Sequence, residues 1–240
     1  MLHRGRREDA FRWRRRAVRG WTVAVRDPWP VDLREALESA WPLLAAQCDD
    51  VARRLPGAAV RHLRGTTLWI SPPYTGVRPT AEYHPGADWL AENGRDPGMV
   101  RGVEITDIAD LAAEIERMPC LLLHELAHAF HHQVLGFDRP DIVAAWERAM
   151  AAGTYDRVER RFSRGRPPAY DRHYALATPQ EFFAEMSEAW FGQNDYFPYD
   201  RAALVALDPE TASLVERLWR TDPRRSRQEG RAPAMKARPT

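Results

Sequence analysis

Apolar and polar positions along the chain first alternate and then recur at helical spacing. Residues 21–26 (Trp-Thr-Val-Ala-Val-Arg) alternate as a strand closed by Asp27-Pro28. From Asp32 to Leu55 the apolar residues Leu33, Ala36, Leu37, Trp41, Leu44 and Val51 predict one helix, bent at Pro42. Two further strands, Val60–Leu63 and Thr66–Ser71, are expected on either side of Arg64-Gly65, and 72–79 reads as a proline-rich loop. Met99–Asp107 is expected as another strand, with helical pattern from about Ala109 and helices at about 118–135, 139–152, 179–191 and 209–219. Strands first and helices after predict an α+β domain with a small mixed sheet.

The helix expected over 118–135 carries His124-Glu-Leu-Ala-His128, an HExxH motif within an apolar run. Histidines four residues apart lie one helical turn apart on the same face, so both imidazoles can reach one metal ion. Glu125 lies beside that stripe, where a carboxylate can take a proton from an activated water. A third histidine in the pattern HExxHxxGxxH would fall at position 134, which is Val134, and position 131 is His131 instead of glycine. The three-histidine arrangement is therefore excluded.

A carboxylate is the alternative third ligand, and the helix expected at 179–191 offers several. Thr178-Pro179 reads as N-cap and first helical residue, Glu181 stands at the capping-box position, and Gly192 marks the stop. Glu181, Glu185 and Glu188 recur at spacings of four and three and share one face. Phe182, Phe183, Met186, Ala189 and Trp190 make the remainder too apolar for a solvated helix. The acidic face is thus either an exposed stripe or a buried one turned toward a cation, and capping and ligation compete for Glu181.

The motif followed by Tyr174-x6-Glu181-Phe-Phe-Ala-Glu185 resembles the catalytic domain of the anthrax lethal factor-like metallopeptidases. That clan includes the Pro-Pro endopeptidases and, more loosely, the Mlc titration factor A peptidases. The likeness covers roughly 118–191. It implies a zincin-like fold in which an active-site helix is followed by a glutamate-bearing helix. It also implies one Zn²⁺ per chain, with His124, His128 and Glu181 as ligands, Glu125 as general base and Tyr174 as oxyanion donor. Glu185 is then the outer partner that orients a ligand histidine. Such enzymes lay an extended substrate along an edge strand just ahead of the active-site helix, which places Gly102 and Val103 at the substrate. Gly102 could admit another backbone there or simply mark a bulge. His132 extends the His124/His128 face and reads as cleft-lining or merely exposed. Tyr83 to Leu90, together with Asn194 to Pro198, also resembles a broad group of bacterial and fungal HExxH proteins.

Charge refines the organisation. Residues 1–20 carry +6 and residues 220–240 carry +5; with +1 overall, residues 21–219 carry −10. The expected division is a basic flexible tail over 1–20, the catalytic domain over 21–219 and a basic disordered tail over 220–240. An acidic body excludes nucleic acid at the active site, although the arginine-rich ends could touch an anionic partner. The polar connector 153–172 reads as a surface loop or a lid. No run approaches the ~20 apolar residues of a membrane span, the first residues lack an apolar signal core, and two cysteines make no disulfide framework. A cytoplasmic protein is expected.

These features predict a zinc peptidase acting on an extended peptide. Two rivals stand beside it: a metal-dependent hydrolase of a small amide or ester, and a partner-binding protein on a zincin scaffold. Retention of both Glu125 and Tyr174 argues against the last. The pattern leaves oligomeric state open.

Overall fold

A computed structural model describes residues 11–162 and 165–224. Its centre is a five-stranded mixed sheet built from β1 (Trp13–Val18), β2 (Trp21–Arg26), β3 (Leu68–Ile70), β4 (Ala81–Tyr83) and β5 (Val103–Ile105). The spatial order is β1-β2-β3-β5-β4. The β2–β3 and β3–β5 pairs are parallel, while β1–β2 and β4–β5 are antiparallel. The helices α1 (Arg34–Arg54) and α2 (Gly57–Leu63) connect β2 to β3, and the short α3 (Ala87–Glu92) lies between β4 and β5. The remaining helices follow the sheet: α4 (Leu111–Arg117), α5 (Leu121–Phe130), α6 (Pro140–Ala152), α7 (Pro179–Phe191), α8 (Arg201–Leu207) and α9 (Pro209–Trp219). The architecture is α+β, as the order of patterns predicts.

Strand periodicity sorts side chains to two faces. Val23, Val25, Leu68, Ile70, Val103, Ile105 and Tyr83 join the main core with α1 and α5. On the other face Ala24 and Trp69 pack with Leu90, Met99 and Trp13 in a smaller cluster. Among the described residues no helix is long and apolar enough to cross a membrane.

Four elements differ from the sequence reading. Val60–Leu63 is the end of a helix, because Ala59, Val60 and Leu63 are buried at helical spacing and Trp21 Nε1 donates to Leu63 O at 3.1 Å. A four-residue apolar run fits either period, and here the contacts decide. Residues 13–18, placed in a flexible tail on charge alone, form an edge strand. Arg15 and Arg16 stack over Trp69 and Trp41 at 5.1 and 4.1 Å, so aromatic faces hold the guanidinium stems in place. Residues 1–10 and 225–240, the remainder of the two basic tails, lie outside the described residues. The connector 153–172 contains a hairpin of β6 (Val158–Arg160) and β7 (Ala169–Asp171).

The fourth difference concerns the cleft. The strand expected over 99–107 is confined to Val103–Ile105, and it is an inner strand; β4 forms the edge. Val103 is fully buried, so it faces the core and not a substrate. A Cβ at Gly102 would stand 2.2 Å from Trp69 Nε1 and 2.9 Å from Met99 O. The glycine is needed for packing against Trp69. Gly102→Ala is accordingly expected to lower unfolding free energy by about 1–3 kcal/mol through overpacking, measured by urea denaturation. Unchanged stability would show that Trp69 yields without cost.

Candidate metal centre

The apolar residues of the motif helix determine where its histidines point. All ten residues of α5 are buried, and the helix packs against α1, α7 and β4. Leu123, Leu126, Ala127 and Phe130 fill the core, which leaves His124 and His128 directed at α7. Their rings meet edge-on with centroids 4.8 Å apart.

Glu181 lies opposite them. Its backbone N–H is capped by Thr178 Oγ1 at 3.1 Å, while its carboxylate turns to the histidines. Backbone and side chain thereby divide the two roles that the sequence set in competition. Three separations define a triangle: His124 Nε2 to His128 Nε2 is 3.1 Å, His124 Nε2 to Glu181 Oε2 is 3.2 Å, and His128 Nε2 to Glu181 Oε2 is 3.4 Å. Ligands bonded tetrahedrally at about 2.0–2.1 Å stand about 3.3–3.4 Å apart. The three donors thus match one face of a tetrahedral ion site, and the residues fit a metal.

The far side of the His124 ring is also held. Its Nδ1 lies 2.6 Å from Glu188 Oε1, whereas Glu185 Oε1 is 3.8 Å away. The carboxylate placed to hydrogen-bond His124 Nδ1 is therefore Glu188, where the sequence reading has Glu185. The reason is geometric. Glu181 and Glu188 are seven residues apart, about 10.5 Å along a helix, which spans an imidazole lying along α7. Glu185 is instead bound by Asn194 Nδ2 at 2.8 Å. With Nδ1–H donated to Glu188, Nε2 is the atom left for a cation.

The electrostatics are concentrated. Burial works against charge on His124, but hydrogen bonds to Glu181 and Glu188 outweigh it and hold the imidazole well above its usual value. For Glu181 burial is likewise outweighed, by the two histidines, and its carboxyl is lowered. Burial and the neighbouring Glu188 push Glu185 well above the carboxylate range, and burial raises Glu188 to about 7. Glu125 is raised by burial, against the histidine charges and a 2.8 Å hydrogen bond from Tyr83 N–H.

Above this floor lies a cleft of about 1030 Å³. One wall is β4, including Ala81 and Tyr83; the other carries Tyr174 and, from the hairpin, Arg160 and Phe162. Tyr174, half exposed, starts a 3₁₀ turn in which His173 Nδ1 accepts from Ala175 N. His132 is not on the ligand face. A π-turn over His131–Leu135 rotates it away, and its Nδ1 lies 2.9 Å from Tyr83 OH. Asp195 Oδ2 lies 3.1 Å from Arg160 of the hairpin and 3.5 Å from Arg117 at the end of α4, joining those two elements. Periodicity gives no signal for such a bridge between a strand and the end of a distant helix.

A second group with metal-like spacing, Glu82, His84 and Glu104, lies on the opposite face of the sheet. Arg95 Nη1 already stands among these groups, 3.0 Å from Glu104 Oε2 and 3.5 Å from His84 Nε2. That guanidinium supplies the cation.

No family model matches the chain, no curated protein matches it, and no solved structure matches it. The centre is therefore defined by its own geometry. Replacing Glu181 with alanine is expected to abolish tight metal binding. Glu188→Ala should weaken it by about ten- to a hundredfold, and by more than Glu185→Ala does. Competition with a chromophoric chelator orders the three; a larger loss for Glu185→Ala would contradict the assignment.

Proposed function

We propose that the protein is a zinc peptidase with a zincin-like catalytic domain, hydrolysing peptide bonds in an extended substrate. One observation carries this reading: the His124, His128 and Glu181 donors form a tetrahedral face, with the Glu125 carboxylate buried beside them. Two imidazoles and one carboxylate suit Zn²⁺, with an open position for chemistry. When bound, the cation supplies Lewis acidity, making a water more acidic and polarising a carbonyl. Glu125 takes the proton of the attacking water and returns it to the departing amine, so one water is consumed per bond cut. The raised pKa of Glu125 suits both halves of that exchange. Tyr174 is held above its usual value by burial and by Glu181, remains protonated at neutral pH and donates to the developing oxyanion.

The cleft favours a peptide over a small amide. Its volume of about 1030 Å³ reaches the upper end of small-ligand pockets, and one wall is a sheet edge. Thr106 N and His84 N close the β4–β5 ladder on either side of Ala81 and Tyr83. Strand alternation therefore turns the peptide groups of Ala81 and the carbonyl of Tyr83 away from β5 toward the cleft, the Tyr83 N–H being taken by Glu125. A polypeptide paired along β4 takes the place first expected at Gly102 and Val103. The two free, buried thiols, Cys48 and Cys120, suit a cytoplasmic setting.

The test is mass-spectrometric profiling of a proteome-derived peptide library. Cuts are expected with zinc-loaded wild type and absent with Glu125→Gln, which should retain its metal. Cuts made equally by the variant would contradict the role of Glu125. No cuts from protein shown to hold metal would favour a small-molecule substrate.

A further inference from the structure

One residue of the cleft wall meets the motif helix at both its backbone and its side chain. Tyr83 donates its backbone N–H to Glu125 Oε2 at 2.8 Å. Its phenol lies 2.9 Å from His132 Nδ1 and receives a hydrogen bond from Gln133 Nε2 at 3.2 Å. These partners are seven and eight residues beyond Glu125, on the π-turn that continues α5. The turn is fixed in its own right: Gly136 N donates to His131 O at 2.7 Å, Gly136 has φ +86°, and the His132 ring stacks on Phe137 at 4.8 Å. A π-turn closes through i→i+5 bonds and so shifts the side chains it carries out of α-helical register. Here the redirected side chain is His132, which reaches β4.

We propose that Tyr83 is a positioning residue for Glu125. Its amide holds one carboxylate oxygen and leaves the other for the water at the metal centre. The phenol, latched to His132 and Gln133, keeps that amide in place. The inference rests on the catalytic reading of Glu125 and adds the device that orients it. Edge pairing supports it. Tyr83 N–H points away from β5, and since among the described residues no further strand lies beyond β4, the buried carboxylate is its acceptor. A three-residue edge strand has few other means of holding its register.

The test uses hydrogen exchange at the residue 83 amide, read by NMR on the full chain, in wild type, Glu125→Ala, Tyr83→Phe and His132→Phe. Exchange is expected to rise about tenfold or more in Glu125→Ala, as a lost acceptor exposes the amide, and severalfold in the two latch variants. The Glu104 amide, within the sheet, should be unchanged. Metal content and affinity should hold in Tyr83→Phe. On any substrate the library yields, kcat should fall about tenfold with KM unchanged. Residue 83 exchange equal to wild type in Tyr83→Phe would overturn the latch. So would accelerated exchange across the whole sheet, which marks a purely structural role, or loss of metal from Tyr83→Phe. Because exchange needs no turnover, a wild type without peptidase activity would count against the proposed function while leaving the latch itself tested.

Discussion

The centre depends on one buried imidazole being held at both nitrogens by a single helix. His124 lies along α7 with Nε2 toward Glu181 and Nδ1 against Glu188. That grip requires α5 and α7 to pack closely over their full contact, and the core residues Leu126, Phe130, Phe182, Phe183 and Met186 provide it. Tight packing converts a sequence spacing into a distance. A small shift of α7 along its axis would separate both carboxylates from the ring at once. Gly192, where a Cβ would stand 2.2 Å from Cys120 Sγ, lets the end of α7 approach the start of α5.

The grip opposes stability. His124, Glu125, His128, Glu185 and Glu188 are all buried, and burying ionisable groups is costly unless they are paired. The protein offsets part of that cost with hydrogen bonds from Tyr83, Asn194 and His124. Glu188 Oε2 nonetheless has no hydrogen-bond partner. A cation on the free face of the triangle relieves the crowded carboxylates, so metal binding and folding are expected to reinforce each other. The opposite face of the sheet solves the same problem within the chain. There Arg95 neutralises Glu82 and Glu104, with Tyr74 OH donating to Glu104 at 2.8 Å.

The sequence makes the triangle of candidate ligands legible because it rests on local rules. HExxH places two histidines by helical periodicity alone, and the capping signal at Thr178-Pro179 fixes the phase of α7. The same periodicity shows that Glu185 and Glu188 share the acidic face, but choosing between them needs the crossing of two helices, which no local pattern encodes. Likewise 99–107 reads as a strand, yet whether a strand is inner or edge depends on which other strands pair with it, and here the earlier β4 takes the outer side of β5. The arginine-rich stretch 12–19 shows the limit of charge as evidence of disorder, since Trp69 and Trp41 give Arg15 and Arg16 surfaces to cover and Trp13 packs edge-on against Trp69. His132 continues the ligand face only if the helix stays α-helical, and the π-turn removes it.

The most direct measurement is X-ray absorption spectroscopy at the zinc edge on protein loaded with one equivalent of metal. The expected spectrum shows two imidazole nitrogens and carboxylate oxygen within about 2.0–2.1 Å, with the imidazole scattering lost in His124→Ala. Zinc that fails to bind at one equivalent would contradict the assignment of the centre. So would a spectrum unaffected by His124→Ala, as binding at Glu82, His84 and Glu104 would give.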